Sequence, residues 1–336
     1  MRIDCKHIVI FFYTAFVFSL AVSCGKSGPA GEGVPIEFGV SNVDVSVKSV
    51  LDQETINEGR VYVYADKGGT SLYSGAPITL ETGTGKWLPE NIEMWENGVS
   101  YTFYGYASSY SYSGSSFLTV SDEGRVIDVS QPDSYSPDDM ADYLLSYIFN
   151  VSDGAVRPVV NLSLEHAMSL VEIKVVRSPS IIDASLNSLC LEGFYRSAKM
   201  QCQQAVYGSG DTNEWTVTLS GDPDTGYYVP KADIPSSEDE TNDGIMMRFM
   251  AIPQQLTSGV TLTVEYSVNE KSTVDDEDNY QVHTEKFQLY NFSPSEWRSG
   301  HRVVYVLTVD TGIHLYGMIA PWKNVDNIEG TVLPEI

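Results

Sequence analysis

Residues 160–176 read VNLSLEHAMSLVEIKVV. Val160, Leu162 and Leu164 alternate with polar residues, and Val171, Ile173 and Val175 do so again. A repeat of two marks a half-buried strand, because successive side chains leave a pleated backbone on opposite faces. His166, Ala167 and Met168 fall between the two runs as a corner. The stretch predicts two strands joined by a bend.

Outward from it the same pattern returns. Towards the C-terminus, Trp215, Val217 and Leu219 alternate, and so do Leu262, Val264, Tyr266 and Val268. Residues 303–309 are apolar almost without a break and rich in β-branched side chains, which predicts a central strand covered on both faces. Residues 313–322 and 331–336 supply the closing segments. Towards the N-terminus, residues 100–107 (SYTFYGYA) alternate aromatic and small residues. Val61-Tyr62-Val63-Tyr64 consists of strong strand formers, and Gly68-Gly69 marks a turn after it. Short strands are predicted at 78–80 and 86–88, around Gly83 and Gly85. Residues 34–50, VPIEFGVSNVDVSVKSV, read as a first strand pair, with Val43, Val45 and Val47 alternating against Asp44, Ser46 and Lys48. One helix is predicted, over 139–149, where Met140, Leu144, Leu145 and Ile148 share a helical face.

Many short strands with turn signals between them predict an all-β fold built of β-sandwiches. Asp153, Gly154 and Pro158 interrupt the pattern, so the sequence predicts two sandwich domains, 34–155 and 156–336. Ahead of them, residues 1–23 read as an export signal. Arg2 and Lys6 form a basic start, and residues 8–22 form an apolar run too short to span a bilayer comfortably. Ala21-Val22-Ser23-Cys24 is similar to the lipobox of bacterial lipoproteins, which makes Cys24 the expected lipidation site. Residues 24–33 then serve as a tether, GKSGPAGEG after the cysteine.

The chain carries 45 acidic and 20 basic residues in 336, a formal net charge of -25. That charge argues against nucleic acid as a partner. At 42% hydrophobic residues it has enough apolar matter for a substantial core. Beyond the leader only Cys190 and Cys202 remain, which is neither a disulfide framework nor a zinc pattern; they are a candidate disulfide or two separate buried thiols. The acidic loops 236–243 and 275–279 lack the glycine and terminal glutamate of an EF-hand, and read as solvated loops. Gly83 and Gly85 precede Lys86, but Trp87 stands where a phosphate-binding loop needs Ser or Thr. His166, His283, His301 and His314 are scattered, and His166 reads as a hydrogen-bonded structural histidine. No catalytic constellation, metal site or cofactor is expected, and the chain reads as a non-enzyme.

A set of motifs in order carries a family resemblance. Ile36-x-Phe38 follows the tether, then Val61-Tyr62-Val63-Tyr64-Ala65, then Trp95 ahead of Tyr101-x-Phe103-Tyr104-Gly105-Tyr106. Asp142-Tyr143-Leu144-Leu145 precedes Val160-x-Leu162-x-Leu164-x-His166-Ala167-Met168. Ala251-Ile252-Pro253-Gln254, Trp297-x-x-Gly300 with Tyr305, and Ile319-x-x-Trp322 complete it. In this order the motifs resemble the fimbrillin-like lipoproteins of Bacteroides-type bacteria, over nearly the whole mature chain.

The resemblance implies two tandem transthyretin-like β-sandwiches, and a structural or adhesive subunit of a type V pilus. It implies delivery to the outer membrane as a lipoprotein, cleavage by a trypsin-like protease after the first strand, and assembly with other pilin subunits by strand exchange. Lys48 and Arg60 are the candidate cut sites, and residues 331–336 (TVLPEI) a candidate donor. Family members often carry arginine where this chain has Lys48-Ser49. The alternative is a surface glycan-binding outer-membrane lipoprotein, using Tyr110 and Tyr112 as stacking aromatics. A host or bacterial surface ligand fits either reading.

Overall fold

The computed structural model describes residues 33–41, 61–108, 118–121, 126–136, 142–146, 148–201, 216–223, 226–239, 241–269, 279–310 and 312–321. Among these, strands dominate and the only helical element is a 3-10 turn at Leu289–Asn291. The all-β prediction holds.

The first sheet holds eight strands: β1 (Phe38–Ser41), β2 (Val61–Lys67), β3 (Thr70–Leu80), β4 (Trp87–Pro89), β5 (Tyr101–Ser108), β8 (Tyr143–Ser146), β9 (Phe149–Val151) and β10 (Val160–His166). β2 and β3 make a hairpin on Gly68-Gly69, whose φ angles of 58° and 86° suit a two-residue turn that needs both positive. Their register slips between Val63 and Tyr64, where Gly75 (φ 71°) takes up the extra residue beneath the Tyr64 ring. The pairing order is β2-β3-β4-β1-β10-β8-β5-β9, and β2 also pairs with β5. Seven strands therefore form a closed circuit, a sandwich whose edges are joined, around a core that includes Phe38, Val63, Trp87, Phe103 and Leu162.

A four-stranded sheet follows, ordered β17 (Ile245–Ala251), β11 (Ser169–Arg177), β22 (His301–Val309), β23 (Ile313–Pro321). The second layer comprises β15 (Tyr227–Val229), β12 (Ala184–Glu192), β19 (Thr261–Asn269) and β20 (Tyr280–Gln288), with β16 (Ala232–Asp233) also on β12. Val171, Ile173 and Val175 of one layer share a core with Leu186, Leu189 and Val264 of the other. β22 is central, between β11 and β23, and buried over most of its length, as its unbroken apolar run predicts. A smaller sheet joins β6 (Leu118–Ser121) and β7 (Val126–Ser130) to β13 (Ser197–Gln201) and β14 (Thr216–Ser220). β18 (Gln254–Gln255) pairs with β21 (Glu296–Trp297).

The quoted stretch is two strands, β10 and β11, meeting at Ala167-Met168. They serve different sheets: β10 pairs with β1 and β8, β11 with β17 and β22. The breakers at 153–158 form a loop, exposed except at Gly154 and half-buried at Pro158, that returns the chain to the first sheet, so β10 lies in that sheet although it follows residue 155.

The predicted helix at 139–149 is not formed over its described residues. Tyr143–Ser146 and Phe149–Val151 are strands. All four residues of β8 are buried. Leu144 enters the first core while Tyr143 and Leu145 enter the second. A strand covered on both faces is continuously apolar, and periodicity alone cannot distinguish it from a buried helix.

Candidate functional site

The first strand occupies a slot between two partners. On one side β1 runs parallel to β10, with Phe38 opposite Val160, Gly39 opposite Asn161, Val40 opposite Leu162 and Ser41 opposite Ser163. On the other, Phe38 pairs antiparallel with Trp87 of β4. Just upstream, the Ile36 N–H donates to the Glu93 carbonyl at 2.8 Å, and the Trp95 N–H donates to the Val34 carbonyl at 2.9 Å. The Val160 N–H donates to the Glu37 carbonyl at 2.8 Å. Backbone groups on both flanks of the slot are thus satisfied by this one segment.

Its side chains alternate as a strand requires. Ile36 is fully buried and Phe38 is 1% exposed. The Phe38 ring meets Tyr73 edge-on at 6.0 Å and Phe103 at 5.8 Å. Burying one such side chain contributes about 1.5–3 kcal/mol. Between them Glu37 turns outward to Lys86, Oε1 to Nζ 2.6 Å. Both ends of that pair keep solvent contact, so it is worth about 0.2–1 kcal/mol and chiefly helps fix the register.

Tyr73 forms part of the slot wall. Its hydroxyl accepts a bond from the Glu93 N–H at 3.1 Å, next to the carbonyl that holds Ile36. Burial pushes its pKa up to about 12, because the phenolate would lose its water there. Tyr73 also borders an open cleft with Leu72, Pro77, Glu90 and Ile92 on the flank of β3.

β1 is therefore the only strand bridging β4 and β10 in the described sheet. Taking it away would leave two unpaired strand edges and an apolar trough where Ile36 and Phe38 sit.

A profile of the fimbrillin-like family matches residues 52–322. The chain belongs to the fimbrillin-like family. No curated protein sequence matches it. Among solved structures it is similar to a candidate cell adhesion protein from Bacteroides uniformis, at 13% identity and TM-score 0.54, covering 86% of this chain and 99% of the other. It is also similar to a fimbrilin from Porphyromonas gingivalis, at 9% identity and TM-score 0.42, covering 86% and 98%. The fimbrial anchor protein Mfa2 from the same organism matches at 12% identity and TM-score 0.38, again covering 86% and 98%. The first of these likenesses shows a shared fold.

In this fimbrillin-like chain several sequence-predicted site residues lie outside the described ones: Cys24, Lys48, Arg60, Tyr110, Tyr112 and Cys202. So does the 331–336 segment. Cys190 lies half-buried in β12 with a free thiol. Burial and the neighbouring Glu192 push that thiol's pKa up, which disfavours the reactive thiolate. β12 and β13 belong to different sheets, so Cys190 does not share a ladder with the strand that leads to Cys202.

His166 has the structural role read from its sequence context. Its Nδ1 lies 3.0 Å from Oδ2 of the fully buried Asp142, which ties the end of β10 to the start of β8. The aromatic run 101–107 is split by its alternation: Tyr101 and Phe103 enter the first core, Tyr104 and Tyr106 the second. Sequence reasoning missed Lys86, Trp87 and Tyr73 as slot residues. The Ile36-x-Phe38 alternation marks a strand, but nothing local names its neighbours.

Proposed function

We propose that the chain is a structural or adhesive subunit of a type V pilus, assembled by exchange of its first strand. The observation that carries this is β1 in its slot: four residues, with Phe38 buried, that alone among the described strands join β4 to β10. A segment that completes a closed sheet from the chain's beginning can be replaced by an equivalent strand of another subunit. The incoming strand would satisfy the same N–H and C=O groups and fill the same trough. Repeated head to tail, that contact does not close on itself and yields a filament. Family membership and the Bacteroides uniformis fold support the reading.

In this proposal residues 1–23 are a signal peptide, Cys24 carries the lipid, and the protein reaches the outer membrane and cell surface. A protease cutting after Lys48 or Arg60 releases β1. Such a cut falls between β1 and β2, leaving the rest of the sheet covalently intact. The chain has no catalytic role. Two sandwich domains are part of the same proposal, as is recognition of a surface ligand by assembled subunits.

The test is N-terminal sequencing of surface-assembled material together with electrophoresis without boiling. The expected result is a new N-terminus at Ser49 or Val61 and a ladder of multimers that disappears when the protease is inhibited. Only acylated Cys24, with no ladder, would overturn the strand-exchange reading.

A further inference from the structure

The far edge of the second sandwich carries nine residues of regular strand with one side unpaired among the described strands. β20, YQVHTEKFQ, pairs with β19 on one side and with no other described strand. Most of its residues are exposed, including Tyr280 at 46% and Val282 at 63%. Exposed, straight edge strands invite a further strand.

Hydrogen-bond parity shows which groups this edge offers. The Leu289 N–H donates to the Val260 carbonyl at 3.0 Å, and Thr261 stands opposite Gln288 in the ladder. In an antiparallel pair, residues bonded to the partner alternate with residues bonded outward. Odd-numbered residues of β20 therefore bond to β19. Val282, Thr284, Lys286 and Gln288 turn their N–H and C=O groups away from the sheet.

We propose that a second copy of this chain adds to that edge, antiparallel, on a two-fold axis through Thr284. In this register Thr284 meets Thr284, and Val282 meets Lys286 on either side of it. In each of these pairs the outward groups face each other, so the ladder closes without a slip. The remaining pairs put His283 against Glu285 twice, and Gln281 against Phe287. His283 and Glu285 thus face each other in the non-bonded pairs, where side chains approach most closely. The exposed Val282 is covered by the Lys286 stem. The His283 ring is already held, stacked on Tyr266 at 5.2 Å and 22°. One surface complements itself, as an isologous contact must. It lies on a different sheet from the β1 slot and does not depend on strand exchange.

Cysteine cross-linking of the full-length protein tests the register. The symmetry places two Thr284 Cα atoms about 5.5 Å apart, within disulfide reach. Thr284→Cys should give a covalent dimer under mild oxidation, above the background set by the four native cysteines. Gln281→Cys should not, since its symmetry mate lies about 20 Å away along the strand. Thr284→Pro removes only an outward donor, so it should leave the thermal melt in place while weakening self-association about tenfold in sedimentation. Equal cross-linking at both positions, or no dimer at Thr284→Cys, overturns the proposal. So does self-association unchanged by Thr284→Pro.

Discussion

Phe38 supplies the buried ring of the first strand, so the slot's grip can be measured there. Phe38→Ala should cost about 3–5 kcal/mol in denaturant unfolding, through lost transfer energy and the cavity left between Tyr73 and Phe103. A loss under about 1 kcal/mol would mean the ring contributes little to the seating of β1. Tyr73 adds a pH dependence. Its folded pKa, near 12, lies above the ordinary value of 10.0. The protonated form is thus favoured by folding, and its stability contribution is intact below pH 10. That contribution is lost as pH rises from 10 to about 12, because the unfolded chain releases the proton first. Tyr73→Phe should flatten the alkaline limb of a stability–pH curve; an unchanged limb would assign the loss elsewhere, for instance to Tyr227 or Tyr305, which burial also raises. His166 was legible in the sequence as a structural histidine, because it stands at an apolar corner ahead of Ala167 and Met168. Its partner Asp142 was not identifiable as such, since that pairing spans 24 positions and leaves no local mark.

Strands that alternate were read correctly as elements, because burial of one face writes a period of two into the residues. β19 and the pair β10 and β11 are examples. β8 misled because both of its faces are buried, which removes the alternation that would have named it a strand. Neighbour relations were the larger loss. Val34 to Phe38 reads as a strand, but its place between β4 and β10 is fixed by contacts far along the chain. A chain beginning at Ser49 lacks β1 and should expose the facing edges of β4 and β10. Hydrogen exchange should then show Val160 and Ile36's former acceptor region, around Glu93 to Trp95, losing protection together. Adding the peptide VPIEFGVS in excess should restore it. Protection at Val160 unaffected by the truncation would show that β1 does not hold that edge.

Over the whole molecule the two cores are interleaved along the chain. β6 and β7 precede β8 yet pair into the sheet of β13 and β14, and Ile127 and Val129 contribute to the second core. Adjacent residues of β8 divide between the cores. The turn signals at 153–158 were legible, but a turn and a domain boundary carry the same residues, so sequence could not tell a loop within one sheet from a hinge between two. An interleaved chain should lose both cores at once. Calorimetry is expected to give one transition with equal calorimetric and van't Hoff enthalpies. Two resolved transitions would show that the cores unfold independently.

The joint that closes the first sheet also sets a timetable. Phe38 takes its place against Val160, 122 positions later, so the seat does not exist until that distant strand has been made and folded. Contacts of such separation must overcome loop-closure entropy before any reward arrives, and they form late. The first of the described strands is then among the late ones to dock. Until it does, each newly made molecule presents the unpaired edges of β4 and β10, and the speed of that closure sets how long those edges stay open to any other strand.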